Sequence, residues 1–221
     1  MKKNILVIGY GDIANRLNLI IDKDKYHLYG ISRTNKEFNI NNHIKWDWLS
    51  TSSPELKKKN FETIIFLPKP SSIDEGGYNE GFIQSTENIF SLTKDIVFNK
   101  FITISSTRVY GPNKRDLCLE SDDIDPEEFR AKIINQYELN QIKRYENKLF
   151  ILRFSGLYSS IMQKKSSNVL HRNNAAKIIY FFIQNCPDDN GNKIFNCSED
   201  PIDNISNNKL KEAGFIFDSY N

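Results

Sequence analysis

Cysteine is scarce. The three in this 221-residue chain, Cys118, Cys186 and Cys197, lie far apart. No C-x-x-C pair occurs, so tetrahedral zinc spacing and a dithiol redox motif are both excluded, and no metal site is expected. An odd, unpatterned count fits a reducing compartment. No apolar run approaches the roughly 18 residues that cross a bilayer. Neither sign of charge dominates, with 30 basic residues against 28 acidic ones and a net charge of +2. A basic excess on one face or an acidic tail would point to nucleic acid or to a solvating segment, so neither a nucleic-acid nor a membrane partner is expected. There is no low-complexity linker and no internal repeat, and the length suits one domain with at most a small lobe. The mean hydropathy of −0.53 describes a polar chain, yet 39% apolar residues can fill a core. Met1-Lys2-Lys3 ahead of Ile5-Leu6-Val7-Ile8 has the charged and apolar parts of a secretory signal. The run stops at Gly9, Asp12 follows, and no small-residue cleavage site comes after. It therefore reads as a first buried strand, and the expected compartment is the cytoplasm.

Short apolar runs alternate with helical stripes. Residues 5–8, 26–31, 43–48, 63–67, 101–105 and 149–154 read as strands. Residues 13–21, 54–59, 78–98 and 126–145 read as helices, the second a short one with Pro54 in its first turn. This alternation predicts an α/β fold, a doubly wound parallel sheet with helices on both faces. After residue 154 the pattern loosens to a helix over 175–183, a turn over 188–192, a short strand over 193–196 and a last helix over 206–213 stopped by Gly214. The organisation expected is a ligand-binding domain over 1–158 and a small C-terminal cap over 159–221, continuous with it.

The first strand runs into Gly9-Tyr10-Gly11-Asp12-Ile13-Ala14, a G-x-G-x-x-A segment that opens an amphipathic helix. In this context the first glycine makes the tight turn, the second lets backbone approach a pyrophosphate, and the small Ala14 lets helix and strand pack closely. The pyrophosphate sits on the helix N-terminus, where free N–H groups and the helix dipole favour an anion. A dinucleotide site is the reading, with a tight turn and no ligand as its alternative. An acidic residue about 20 positions on would bind the ribose diol of NAD; this chain has Ser32-Arg33 there. A guanidinium suits a phosphate, so NADP is favoured over NAD, the alternative being a solvated loop arginine. Asp47 is a candidate for the adenine amino group or a surface acid, and Trp46 and Trp48 either frame the adenine or pack at the sheet edge. Leu67 and Pro68, ahead of Lys69-Pro70 at the end of the fourth strand, are placed for backbone contact with the cofactor.

Ser105-Ser106-Thr107-Arg108-Val109-Tyr110-Gly111 follows the fifth run. With the glycine motif it resembles the extended and atypical short-chain dehydrogenase/reductases, the NAD(P)-dependent epimerase/dehydratase family. Leu152 to Tyr158, Asn168 to Ala176 (with amides where the family has two acids), and the Ser206-Asn207 and Gly214-Phe215 segments match in order, the last as in a sugar-nucleotide-epimerase-like subgroup. The resemblance covers the whole chain. It implies a Rossmann fold, hydride transfer at a carbon beside a hydroxyl, a small substrate such as a nucleotide sugar, Ser105 near the cofactor, and Ser106 or Thr107 on the substrate oxygen. It also implies a homodimer through helices 78–98 and 127–146. His171 reads as a structural residue that caps or bonds the next helix, and Asn173 and Asn174 as its N-cap.

One departure is central. The family's Tyr-x-x-x-Lys pair belongs near 128–132, and that stretch reads Glu128-Phe129-Arg130-Ala131-Lys132. Lys132 is a candidate ribose contact or a solvated helical lysine. Tyr137 is a candidate acid from the next turn, although Gln141 stands at its lysine position. Tyr110 and Lys114 have the spacing, but Gly111-Pro112 breaks any helix there. The leading function is an NADP-binding atypical reductase- or epimerase-like protein. The alternatives are a non-catalytic NADP sensor or interaction protein, and a fold that has lost the cofactor.

Overall fold

The computed structural model describes residues 1–34, 40, 42–49, 53–111, 116–124, 126–160, 168–186, 193–200 and 203–220. The expected turn at 188–192 and the Tyr110/Lys114 spacing fall wholly or partly outside them. Among the described residues the chain runs β1 (Lys3–Ile8), α1 (Asp12–Ile20), β2 (Tyr26–Ser32), β3 (His43–Lys45), β4 (Asn60–Phe66), α2 (Glu75–Tyr78), a π-helical turn (Asn79–Gln84) and α3 (Ser85–Thr93). It continues through β5 (Val97–Ser106), a 3-10 turn (Thr107–Tyr110), α4 (Phe129–Tyr145), β6 (Leu149–Phe154), β7 (Gly156–Tyr158), β8 (Val169–His171), α5 (Arg172–Gln184), β9 (Ile194–Cys197) and α6 (Asn208–Glu212). Seven strands form one sheet in the order β3-β2-β1-β4-β5-β6-β9, every neighbouring pair parallel. The doubly wound α/β fold expected from the alternation is the one observed. Chain order moves outward from β1 to β3, then returns to β4 and moves the other way. The reversal leaves a crevice at the carboxyl ends of β1 and β4.

Side-chain parity sorts the core into two layers. Ile5 and Val7 of β1 and Phe150, Leu152 and Phe154 of β6 face α1 and α5. Leu6, Ile8, Leu149 and Ile151 face the opposite layer, where α3 and α4 pack. Trp46 and Trp48 belong to that second layer at 6% and 4% exposure, so of their two readings packing is the observed one. Elements of the stretch assigned to the cap from sequence also contribute to the main body: α5 packs on α1 and β9 extends the central sheet.

Three local expectations differ. Residues 54–59 are not helical; Leu56 is buried while Lys57, Lys58 and Lys59 are exposed. Six residues with three adjacent like charges cannot offset the cost of nucleating a helix. The helix expected over 78–98 stops at Thr93, and Val97 and Phe98 open β5. The N-cap of α5 is His171, not Asn173 or Asn174: its Nδ1 accepts from Asn173 N at 3.2 Å.

A buried ion pair fixes α4 against the sheet. Register places Ser105 of β5 beside Arg153 of β6. Both point at Glu138 of α4: Arg153 Nη2 and Nε donate to it at 2.7 and 3.0 Å, and Ser105 Oγ donates to Glu138 Oε1. Both members of the pair are 2% exposed. Arg153 Nη1 also donates to the Tyr110 hydroxyl at 2.7 Å, and that hydroxyl faces Asn196 Oδ1 of β9 at 3.0 Å and Leu119 O at 2.9 Å. Burial works to lower the Arg153 pKa, but the Glu138 charge outweighs it and holds the guanidinium protonated. Burial likewise pushes the Tyr110 phenol up to about 12.

Two stability outcomes follow from this architecture. Gly9 has φ +92°, and a Cβ there would lie 2.4 Å from Leu67 O. Gly9→Ala is expected to cost about 2 kcal/mol or more in urea unfolding, since backbone strain of that kind alone is worth ~1–3 kcal/mol. Glu138→Ala leaves Arg153 buried without its counter-charge and is expected to cost ~3–5 kcal/mol, whereas the paired change Glu138→Leu with Arg153→Met recovers most of that loss. A single variant as stable as wild type in the same urea titration contradicts this account of α4.

Candidate functional site

The glycine loop sits at the crevice. Gly9 and Tyr10 both donate their N–H to Ile31 O, at 3.0 and 2.8 Å, and Leu67 N returns to Ile8 O at 2.9 Å. The loop is therefore pinned between the ends of β2 and β4. Gly11 stands at the N-cap of α1, where no side chain caps the helix, and a Cβ on Gly11 would meet nothing nearer than 3.8 Å. Ala14 is fully buried, as close packing of α1 on the sheet requires. Ile13 is buried beside it. Tyr10 turns its ring inward, so close to Gly30 that a Cβ on Gly30 would lie 2.7 Å from the ring; burial raises its phenol to about 12. Asp12 is a carboxylate in the first turn of α1. It is drawn down the helix by Arg16 Nε at 3.1 Å and across to α5 by Arg172 Nη1 at 3.0 Å. Burial would raise its pKa, but the hydrogen bonds from Arg172 and Arg16 prevail and hold it below the usual carboxylate range. The residues at this helix end fit a dinucleotide pyrophosphate: the backbone is open, no side chain caps the helix, and the one nearby acid is neutralised.

At the end of β2, Ser32 is committed locally. Its hydroxyl donates to Thr34 O at 2.8 Å and faces His43 Nε2 at 2.7 Å. Arg33 lies with its guanidinium 5.4 Å from the centre of the Trp48 ring. Asp47 is exposed and accepts from Leu49 N at 3.1 Å.

A cleft of about 650 Å³ opens beyond the loop, over the ends of β5 and β6. Pro68, Ser106 and Thr107 line it, as do Ser155, Asn168 and Asn204. The Ser106 hydroxyl accepts from Arg108 N at 3.2 Å, which folds Thr107–Tyr110 into its 3-10 turn. Thr107 Oγ1 and Ser155 Oγ lie 3.4 Å apart, so two hydroxyls face each other across the ends of β5 and β6. Ser105 reaches the cleft wall, but its proton goes to Glu138; the side chain is tied to the α4 face and not turned to a ligand.

The helix-borne candidates are not brought to the cleft. Tyr137 is fully buried, with its hydroxyl held by Thr103 Oγ1 and 3.4 Å from Ile104 O. Burial raises its pKa well above that of a free phenol, which is the wrong direction for a proton shuttle near neutrality. Lys132 lies on the exposed side of α4. His171 is structural: Nδ1 caps α5, Nε2 lies 3.2 Å from Ser159 O, and the ring stacks on Tyr220 at 3.9 Å. Behind it, buried Glu199 accepts from Tyr158 Oη and His171 N, and from Asn174 Nδ2, joining β8 and α5.

Sequence reasoning missed the Glu138–Arg153 pair and the cleft role of Ser155. A signal for the first was present. An arginine inside the apolar run Leu149 to Phe154 must be paired once that run is a buried strand, and helix 129–145 carries its acid on the inward row.

No family model and no curated protein sequence matches the chain. Solved structures do. A UDP-N-acetylglucosamine 4-epimerase from Methanobrevibacter ruminantium, in complex with UDP-N-acetylmuramic acid, is 17% identical over 99% of this chain and 94% of its own, with a TM-score of 0.73. A Methylobacillus flagellatus protein described as an NAD-dependent epimerase/dehydratase is 15% identical over 98% and 93%, also at 0.73. The UDP-glucuronic acid 4-epimerase of Bacillus cereus, in complex with NAD, is 17% identical over 89% and 78%, at 0.70. The fold of this chain is thus the one found in the NAD-dependent epimerase/dehydratase and UDP-sugar 4-epimerase structures.

Proposed function

We propose that the protein binds NADP in preference to NAD at the glycine loop and takes a nucleotide sugar in the adjoining cleft. The observation that carries this reading is the uncapped end of α1, opened by Gly9 and Gly11 over the sheet's switch point and next to a cleft walled by Ser106 and Thr107. Arg33, held at the end of β2 against Trp48, supplies the cation for a ribose 2′-phosphate. Asp47, Leu67 and Pro68 border the adenosine and nicotinamide portions. The known structures of this fold include complexes with NAD and with UDP-sugars, which supports a nicotinamide dinucleotide at the loop and a nucleotide sugar in the cleft.

A bound nicotinamide would supply hydride acceptance or donation. The chain's own part is to hold the substrate oxygen with the Ser106 and Thr107 hydroxyls and to keep that carbon facing the crevice. Gly156, Leu157 and Asn168, with Asp203, Asn204 and Ile205, act as the described part of the cap. The protein works in the cytoplasm as a homodimer through α3 and α4, where Leu139 and Ile142 point outward at 51% and 42% exposure. A second reading is favoured by one observation: Tyr137 is in the core and Lys132 in solvent, so neither helix-borne candidate faces the cleft. On that reading the protein binds NADP without turnover, as a sensor or interaction partner.

Nicotinamide fluorescence during titration with NADPH and NADH tests both. NADPH is expected to bind more tightly than NADH. Gly11→Asp is expected to abolish binding of both by placing a carboxylate at the pyrophosphate. Arg33→Asp is expected to weaken NADPH by roughly tenfold or more, as loss of a charge-assisted contact would, and NADH far less. Oxidation or reduction of the bound nicotinamide by a UDP-sugar supports the enzyme; tight binding with no turnover across a broad panel supports the sensor. No binding of either nucleotide overturns both.

A further inference from the structure

The described lining of the cleft holds a single cationic side chain, Arg108, and a single acidic one, Asp203. The partner of Arg108 is overcommitted. Glu128 meets Arg108 Nη1 at 3.4 Å with one oxygen and Arg130 Nε at 3.7 Å with the other. One carboxylate thus faces two guanidiniums, and the cluster keeps a surplus positive charge. Arg130 cannot carry that surplus to a ligand. Its Nη2 donates to Ile73 O at 3.1 Å, and its guanidinium lies over the Tyr78 and Phe129 rings at 5.6 and 5.3 Å. Arg108 is 42% exposed and makes one long contact, which at such exposure is worth little and is readily exchanged. Its place in the chain decides what it reaches. Arg108 N donates to Ser106 Oγ at 3.2 Å, so the guanidinium is rooted in the same 3-10 turn as the hydroxyls assigned to the reacting oxygen.

We infer that Arg108 is the specificity-determining residue of the cleft, and that it anchors a carboxylate on the sugar ring of the substrate. The acceptor class is a nucleotide-linked sugar acid. The planar guanidinium grips a carboxylate through two parallel N–H bonds, for which a neutral hydroxymethyl group offers no match. Asn168, Asn204 and Asp203 on the cleft wall meet ring hydroxyls. The inference rests on the nucleotide-sugar reading above and narrows it.

Isothermal titration calorimetry with UDP-glucuronic acid, UDP-glucose and UDP tests it on the wild type and on Arg108→Gln, with thermal unfolding to verify that the exposed substitution leaves the fold intact. The wild type is expected to bind UDP-glucuronic acid roughly tenfold or more tightly than UDP-glucose, the scale of a charge-assisted bidentate contact. In Arg108→Gln that ratio is expected to fall to near one, with Arg108→Lys in between. Equal wild-type affinities overturn the inference, as does a preference that survives Arg108→Gln. If Arg108→Gln weakens UDP as much as UDP-glucuronic acid, the arginine holds the diphosphate, and the inference is again overturned. NADPH fluorescence on the same samples separates the two levels. NADPH binding without any UDP-sugar binding overturns the Arg108 assignment and leaves the dinucleotide site standing. An acid preference lost in Arg108→Gln without dinucleotide binding does the reverse.

Discussion

The Glu138–Arg153 pair is the constraint around which the substrate side is built. Two ions at 2% exposure are tolerable only when every remaining donor and acceptor is met. Here that demand recruits Ser105 from β5, Tyr110 from the 3-10 turn and Asn196 from β9. Asn196 in turn donates its N–H to Glu120 at 2.7 Å, and Cys118 exchanges backbone bonds with Asn204 and Ser206. One charge pair thereby sets the height of α4 on the sheet and the path of the chain after β5. It also sets the position of the 203–206 segment that walls the cleft. An apolar pair would fill the same space without fixing any of these directions.

That constraint bears on the helix-borne candidates. A helix presents one row of side chains to the sheet, and in α4 this row is Ile134, Tyr137, Glu138, Gln141 and Tyr145. Each is already committed or buried: Tyr137 to Thr103, Glu138 to Arg153 and Ser105, Gln141 to Thr86 at 3.2 Å. The stretch in which the resemblance places the pair, 128–132, holds Glu128 at the N-cap of α4, in ion pairs with Arg108 and Arg130, and exposed Lys132. In this chain that inward row holds the helix to the sheet.

Much of the sheet was legible because a strand buried on both faces must be continuously apolar, and Leu6, Ile64, Phe101 and Leu152 sit in such runs. The glycine loop was legible because its requirement is backbone space, which only Gly9, Gly11 and the small Ala14 provide. Helix ends were less so. Val97 and Phe98 satisfy both a helical stripe and a strand, and tertiary pairing with Asn60 and Phe61 decides for the strand. Trp46 and Trp48 illustrate the same limit: burial in a particular layer depends on β3 joining the sheet edge, which no local pattern states. The roles of Tyr137 and Ser105 were illegible for a different reason. Each carries a functional group suited to chemistry, and only the register of β5 against β6 and α4 shows that its partner lies within the protein.

The two halves of the site depend on different kinds of residue, and this explains how the fold persists at 15–17% identity to its structural relatives. The glycine-loop half is made of backbone: N–H groups at the start of α1, a positive φ at Gly9, and the close approach of Leu67. Such features survive wide side-chain replacement so long as two glycines and one alanine stay. The cleft half is made of side chains on segments after β5 and β6, before β8 and after β9, where a single change of residue alters the chemistry without touching the sheet. A chain can then keep the first half and rewrite the second. Here the cleft is ringed by Arg108, by the hydroxyls of Ser106, Thr107 and Ser155, and by the amides of Asn168 and Asn204. On the proposed reading selectivity resides in side chains: the α1 end offers what any dinucleotide would use, while Arg33 and Arg108 would distinguish among anions.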